Sequence, residues 1–367
     1  MTVNGRSVRV IFAGGGTGGH LFPGIAVARE LRRRDPKSQV MFAGSGRALE
    51  ARVLAREGLA LERVRAVGLV GGSRRALVKG LAQLPVAFLD AWRLLNRFRP
   101  DIVVGLGGYS SGPVVLLAAL SRIATLVMEQ NAVPGVTNRL LGRVVQAAAV
   151  SYAETRSCFR AKCFVSGNPV RAGFFKASRP RPVVAEPRIL VLGGSQGAHA
   201  INVAMVQAAP ALAEATRPVL VTHQSGDSDL QMVRHGYRSA GVTARVEPFL
   251  ESMDNEMSDA DIVVCRAGAT TIAELAAAGR PAILVPYPHA THDHQRRNAA
   301  AFQTQGAAEV IDPDELTAAL LSQRLLALTV DDKRRLARAD AAYRLGMPDA
   351  AVTIVDRMER LIVGEES

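Results

Sequence analysis

Cysteine is scarce in this sequence: Cys158, Cys163 and Cys265 are the only three in 367 residues. Three thiols cannot build a disulfide framework, and their spacing matches no zinc pattern, so a reducing compartment is expected. Aromatic residues are few as well, 5% with a single Trp. No basic–aromatic alternation of the kind that stacks bases is visible, which argues against nucleic acid as a partner. Long apolar runs are missing: stretches such as residues 114–120 end after seven residues, well short of the roughly 20 that span a bilayer. The opening MTVNGRSVRVIFAGGG runs into a strand pattern without the apolar region and cleavage site of a signal peptide. These absences predict a soluble protein, or one peripheral to a membrane.

Acidic residues are in short supply in one half only. Residues 1–170 hold 24 basic and 9 acidic side chains, a net +15, whereas the remainder holds 21 and 24, a net −3. The whole excess of +12 therefore sits in the N-terminal half and points to a polyanionic partner there, an anionic lipid surface or a phosphorylated substrate. With 48% apolar and 21% charged residues, disorder and low complexity are excluded. The length suggests two domains with full hydrophobic cores.

Strand and helix patterns alternate along the chain. Residues 8–13, 39–43, 101–106, 125–128 and 147–150 read as short strands, separated by helical stretches at 23–34, 47–57, 114–120 and 136–143. This is the rhythm of βαβ units in a parallel sheet. Pro180, Pro182 and Pro187 mark a linker, after which strand (188–192), glycine turn (193–197) and helix (from 199) repeat the order of residues 8–34. Further strands are expected at 219–222, 245–248, 262–265 and 282–286. The fold class is α/β, with two doubly wound Rossmann-like domains expected to face each other across a cleft. The expected boundaries are 1–170, 171–345, and a C-terminal helix within 346–367 that packs back on the first domain.

Three glycine-rich turns stand at strand-to-helix junctions. Gly14-x-Gly16-x-x-Gly19 has the form of the dinucleotide fingerprint, but no acidic residue ends the second strand (Phe42-Ala43-Gly44-Ser45-Gly46) to take a ribose hydroxyl. Dinucleotide binding is therefore disfavoured, while phosphate binding by main-chain amides at a helix N-terminus remains. Gly107-Gly108-Tyr109-Ser110-Ser111-Gly112-Pro113 and Gly193–Gly197 complete the set. His20 follows the first turn, near a helix start that Pro23 is expected to help initiate. The helix dipole there disfavours the imidazolium, so a neutral, proton-accepting ring suited to a general base is expected. A capping or packing role is the alternative.

Seven segments carry a resemblance: GGGTGGHLFPGIAVA (14–28), GLGGYSSGP (105–113), EQNAVPGVTN (129–138), GNPVR (167–171), GGSQGAHAIN (193–202), CRAGATTIAEL (265–275) and HDHQRRNA (292–299). In this order they resemble the MurG family of peptidoglycan N-acetylglucosaminyltransferases, which make lipid II from lipid I. The resemblance implies the GT-B architecture, UDP-GlcNAc on the second domain, a lipid-linked acceptor on the first, and inverting transfer to the 4-hydroxyl of MurNAc. It implies that Ser195 and Arg171 meet the donor diphosphate and that Leu250 meets uracil through its backbone. Ala269, Thr270, Thr271, Ile272, Ala273 and Glu274 would line the nucleotide, with Glu274 on the ribose hydroxyls, and Asn131 and Gln295 would hold the GlcNAc ring. Thr17, Gly18 and Gly19 belong to the same substrate site, and His20 is the candidate base, with Glu129 and Tyr109 in reserve. Implied partners are UDP-GlcNAc, lipid I, the anionic inner membrane surface and other cell-wall synthesis proteins, with no nucleic acid. The implied location is peripheral, on the cytoplasmic face of the cell membrane.

No cofactor and no metal are expected. His289, His292 and His294 cluster near Gln295 but read as a polar loop entering a helix. Asp259-Ala-Asp261 has the form of a metal-binding DxD, yet it sits just before a buried strand and reads as a connection. His199 stands where the family often has a basic residue. Residues 74–99 combine Leu77, Leu81, Leu84, Phe88, Trp92 and Leu95 with Arg74, Arg75, Lys79, Arg93, Arg97 and Arg99, a pattern suited to an anionic interface or to a core helix with a basic outer face. Competing functions are another UDP-sugar enzyme of this architecture, such as a glycolipid-forming transferase or a UDP-GlcNAc 2-epimerase, an NAD-dependent oxidoreductase, and a nucleic-acid-binding protein.

Overall fold

The structure, a computed structural model, describes residues 2–3, 6–65, 74–159, 162–176, 182–193, 198–290 and 293–365. The chain divides into two compact units, one formed by Met1–Arg171 with Asp349–Ser367 and the other by Ala172–Pro348.

In the first unit a short ribbon, β1 (Thr2–Val3) and β2 (Arg6–Ser7), precedes a seven-stranded sheet. The sheet comprises β3 (Arg9–Gly14), β4 (Gln39–Gly44), β5 (Ala60–Arg63), β6 (Ile102–Gly107), β7 (Ala124–Glu129), β8 (Ala147–Val150) and β9 (Lys162–Val165). Its order is β5-β4-β3-β6-β7-β8-β9 and every pair is parallel. Parallel strands covered on both faces need near-continuous apolar runs, and β6 and β7 are buried along their whole length. Phe12 and Phe42 stack at 5.2 Å between ring centroids; truncating either to Ala is expected to cost about 3–5 kcal/mol. The C-terminal helix Ala350–Val363 places Ile354, Val355, Met358 and Leu361 in this same core. Arg34 ties it down through Asp356 (2.6 Å) and Glu359 (3.2 Å).

The second unit has six parallel strands: β10 (Arg188–Leu192), β11 (Leu220–Gln224), β12 (Thr243–Glu247), β13 (Ile262–Cys265), β14 (Ala282–Leu284) and β15 (Ala308–Val310). Their order is β12-β11-β10-β13-β14-β15. In each sheet the strand order reverses once, between β3 and β6 and between β10 and β13. Such switch points are where open α/β sheets bind ligands, beyond the carboxyl ends of the strands.

One local expectation is corrected. The first helix runs Gly18–Arg34 with Thr17 as its N-cap, so Pro23 lies inside it rather than at its start. Proline removes one helical N–H, and the residue four positions back is Gly19, which has no Cβ to add to the crowding. His20 is thus the third helical residue.

Candidate active site

The first-unit switch point is made of two glycine turns pressed together. Gly14, Gly15 and Gly16 have φ of 126°, 140° and 86°, and Gly107 and Gly108 have 99° and 80°, conformations that L side chains rarely adopt. A Cβ on Gly14 would lie 2.2 Å from the Gly107 carbonyl, and one on Gly108 would lie 3.1 Å from the Gly15 carbonyl. Close backbone approach therefore requires glycine on both sides. The His20 ring covers the end of β6, since a Cβ on Gly107 would meet its Cδ2 and Nε2 at 3.0 and 3.1 Å. His20 is half-buried, and its Nδ1 lies 3.5 Å from the Thr17 hydroxyl, which is exposed. Gly18 and Gly19 begin the helix, half-buried and exposed respectively.

Beside them lies Glu129, 2% exposed at the end of β7. Its carboxylate accepts from the Asn131 backbone (3.0 Å) and side chain (3.2 Å), the Gly135 N–H (3.0 Å) and Asn138 Nδ2 (3.0 Å). Through these four contacts it orders the turn after β7. Tyr109 remains 44% exposed. Asn131 thus has the turn role its residue type suggests, and that role fixes where its amide points. Arg171 is the last residue of the first unit, its guanidinium 5.1 Å from the centre of the Phe22 ring.

In the second unit, Gly193 closes β10, and its N–H donates to the Gln224 carbonyl at 3.3 Å. Ser195 lies outside the described residues. Leu250 is 3% exposed, and its N–H is already donated to Gln224 Oε1 at 3.0 Å. The helix Ala269–Ala278 starts directly beyond β13, with Gly268 as its N-cap. Ala269, Thr270, Ile272 and Glu274 are buried, Thr271 and Ala273 half-buried. Glu274, 8% exposed, is no surface helix residue. Cys265 at the end of β13 is inert: burial, aided by Glu274, pushes its thiol up to about 12.

Arg266, Gln295, Asn298 and Asn202 lie within the resembling segments, but their contacts could not be read from the sequence. Arg266 donates to the carbonyls of Val285 (3.2 Å) and Pro286 (3.0 Å) and lies 5.6 Å over the Tyr287 ring. The Tyr287 N–H in turn donates to Gln295 Oε1 at 2.9 Å, and Asn298 Nδ2 reaches the Ala267 carbonyl at 3.3 Å. On β11, opposite Val191 of β10, His223 is wholly buried between the Tyr237 hydroxyl (Nδ1, 2.9 Å) and Asn202 Oδ1 (Nε2, 2.9 Å). Burial drives its pKa down to about 3, against the opposing pull of Asp229. Asn202 donates onward to Asp229 at 2.7 Å, and Asp229 meets exposed His199 at 3.0 Å.

Within the two metal-like patterns, Asp261 and His289 make contacts with other residues. Asp261 is 2% exposed, accepts the Arg188 N–H at 2.8 Å and lies 3.9 Å from buried Arg335. His289 packs edge-on against Tyr287, His294 begins the helix His294–Thr304, and His292 lies outside the described residues.

Comparison with known proteins fits this geometry. Residues 10–150 match the glycosyltransferase family 28 N-terminal domain and residues 188–354 the glycosyltransferase family 28 C-terminal domain. The two units thus define a glycosyltransferase. The UDP-N-acetylglucosamine–N-acetylmuramyl-(pentapeptide) pyrophosphoryl-undecaprenol N-acetylglucosamine transferase of Anaeromyxobacter sp. (strain K) is 46% identical, over 97% of this chain and 93% of that protein. Its namesake from Geobacter sulfurreducens is 43% identical over 96% of this chain and 98% of its own length. The crystal structure of Acinetobacter baumannii MurG superimposes with a TM-score of 0.76 at 31% identity, covering 96% of this chain and 99% of that one. The chain belongs to glycosyltransferase family 28 and, within it, to the MurG family. UDP-GlcNAc 2-epimerase from Neisseria meningitidis shares only the fold, with a TM-score of 0.67 at 14% identity, covering 96% of this chain and all of that one.

Proposed function

We propose that this protein transfers N-acetylglucosamine from UDP-GlcNAc to the 4-hydroxyl of MurNAc in lipid I, undecaprenyl-diphospho-MurNAc-pentapeptide, with inversion, to give the β-1,4-linked lipid II of peptidoglycan synthesis. The observation that carries this reading is the full-length likeness to transferases named for that reaction, 46% over 97% of the chain.

The reaction is a single displacement. His20 takes the proton of the acceptor hydroxyl as its oxygen bonds to the anomeric carbon, and the bond from that carbon to the diphosphate breaks. A general base of this kind contributes about 10²–10⁴-fold. Thr17, Gly18 and Gly19 border the base and meet the acceptor. UDP departs with its charge met by Ser195, Arg171 and the main-chain amides at the start of the Ala269–Ala278 helix, whose dipole favours an anion. Glu274 accepts from the ribose hydroxyls, Leu250 meets the base, and Asn131 and Gln295 hold the sugar. The chemistry requires no cofactor.

A polyprenyl acceptor brings the first unit to a membrane. The helix Arg74–Phe98 buries Ala87, Ala91, Leu94, Leu95 and Phe98 while Leu89 (42%) and Trp92 (57%) stay exposed beside Arg93 and Arg97. Leu95 therefore belongs to the core, and Leu89 replaces it on the outer face. Leu77, Leu81, Arg74, Arg75 and Lys79 lie where side chains are not described. An apolar face rimmed by cations, on a unit of net +15 over residues 1–170, suits an anionic lipid surface at the cytoplasmic face of the cell membrane. No described helix is long and apolar enough to cross a membrane.

The test is incorporation of labelled GlcNAc from UDP-GlcNAc into a lipid I analogue by the purified protein. Acceptor-dependent product is expected, and its absence with a folded, UDP-GlcNAc-binding protein would overturn the reading.

A further inference from the structure

Glu50 belongs to no motif, yet its carboxylate occupies the place where the first glycine turn would hold an anion. It is 1% exposed. Oε1 accepts the Gly16 N–H at 2.5 Å and the Ser45 N–H at 3.4 Å, while Oε2 accepts the Ser45 hydroxyl at 2.9 Å and the Arg47 N–H at 2.9 Å. Two glycines make room for it. A Cβ on Gly15 would lie 2.5 Å from Oε1, and one on Gly44 would lie within 3.2 Å of both oxygens. Capping of the Ala48–Arg56 helix needs only the Arg47 contact. Reaching Gly16 and Ser45 goes beyond what that helix requires. Arg47 holds the other end of the Gly16 residue by donating to its carbonyl at 3.2 Å. The next residue is Thr17, whose carbonyl receives the N–H groups of His20 (3.3 Å) and Leu21 (3.2 Å) and so sets where the catalytic helix begins.

We propose that Glu50 is a positioning residue for transfer: a built-in anion that takes the Gly16 amide, keeps phosphate off that part of the turn, and fixes the segment carrying Thr17 and His20. The inference rests on the transferase reading and on His20 as its base. A carboxylate that already accepts four donors serves no ribose, so it also fails to restore the dinucleotide fingerprint. An acceptor phosphate is then confined to the first turn of the Gly18–Arg34 helix, beyond Gly16.

The test compares wild type with Glu50→Gln and Ser45→Ala in steady-state transfer from UDP-GlcNAc to a lipid I analogue, with thermal unfolding alongside. In Glu50→Gln an NH2 replaces one acceptor, so one of the N–H groups it served meets a donor. Misplacing the base by a fraction of an ångström is expected to lower kcat about 10- to 100-fold, with KM for UDP-GlcNAc within about twofold of wild type. Ser45→Ala removes one contact and is expected to lower kcat about three- to tenfold. A merely structural role would lower the melting temperature while leaving kcat of the folded protein unchanged, and that result in either variant overturns the inference. Should Glu50→Gln fail to fold, Ser45→Ala decides alone. An active wild type with active variants sinks only the role of Glu50, whereas an inactive wild type sinks the transferase reading with it.

Discussion

Gln295 Oε1 accepts the backbone N–H of Tyr287 at 2.9 Å. That bond orients the amide, so in the proposed reaction the Gln295 NH2 would be the end that meets a sugar hydroxyl, and Arg266 braces the same segment through the carbonyls of Val285 and Pro286. Gln295→Glu keeps an oxygen for Tyr287 and loses the donor. A hydrogen bond worth about 1 kcal/mol corresponds to roughly five- to tenfold in affinity. KM for UDP-GlcNAc should rise by that factor with the melting temperature unchanged.

His20→Ala is expected to lower kcat by about 10²–10⁴-fold, because a base acts in the transition state. KM for UDP-GlcNAc should stay within about twofold. Initial-rate kinetics over both substrates check this, and unchanged turnover would move the base elsewhere, Glu129 and Tyr109 being the reserve candidates.

Buried His223 predicts how stability depends on pH. Its folded pKa, about 3, lies below the ordinary 6.5 because burial disfavours the imidazolium. Between those values the unfolded chain binds more protons, so stability falls as pH falls from about 6.5 toward 3, by about 1.4 kcal/mol per pH unit from this group. Above pH 7 the group contributes no slope. Chemical denaturation from pH 7.5 to 5 should show the loss, and His223→Gln should flatten it.

Asp261→Asn tests whether the DxD-like pair has anything to do with metal. The carboxylate accepts the Arg188 N–H and lies 3.9 Å from fully buried Arg335. Removing one member of a buried charged set is strongly destabilising, so a loss of about 1–3 kcal/mol is expected with KM for UDP-GlcNAc unchanged. A selective loss of donor binding, restored by added divalent cation, would contradict this assignment.

Much of the fold was legible because parallel strands are buried on both faces and read as apolar runs: β3, β6, β7, β10 and β13 fall within a residue or so of their expected places. The strands that escaped notice are edge strands. β5 is Ala-Leu-Glu-Arg, exposed or half-buried throughout, and β15 is Ala-Glu-Val, whose Glu309 is buried only because Arg324, Arg334 and Arg338 surround it. Glycine turns announce themselves in a sequence, whereas the side chains that brace them do not. Glu50 comes from a different helix, 34 residues beyond Gly16, and His223 lies on a strand that shows only β-propensity. The reach of Glu129 was equally hidden: its position in EQN was visible, but not the four donors that make it an organiser of a turn.

Inverting transfer to one particular hydroxyl is read out by the linkage of the product. NMR of the disaccharide released from the product of the purified protein should show a GlcNAc β-anomer attached to O4 of MurNAc. An α-linkage, or attachment at another hydroxyl, would overturn inverting transfer to the 4-hydroxyl.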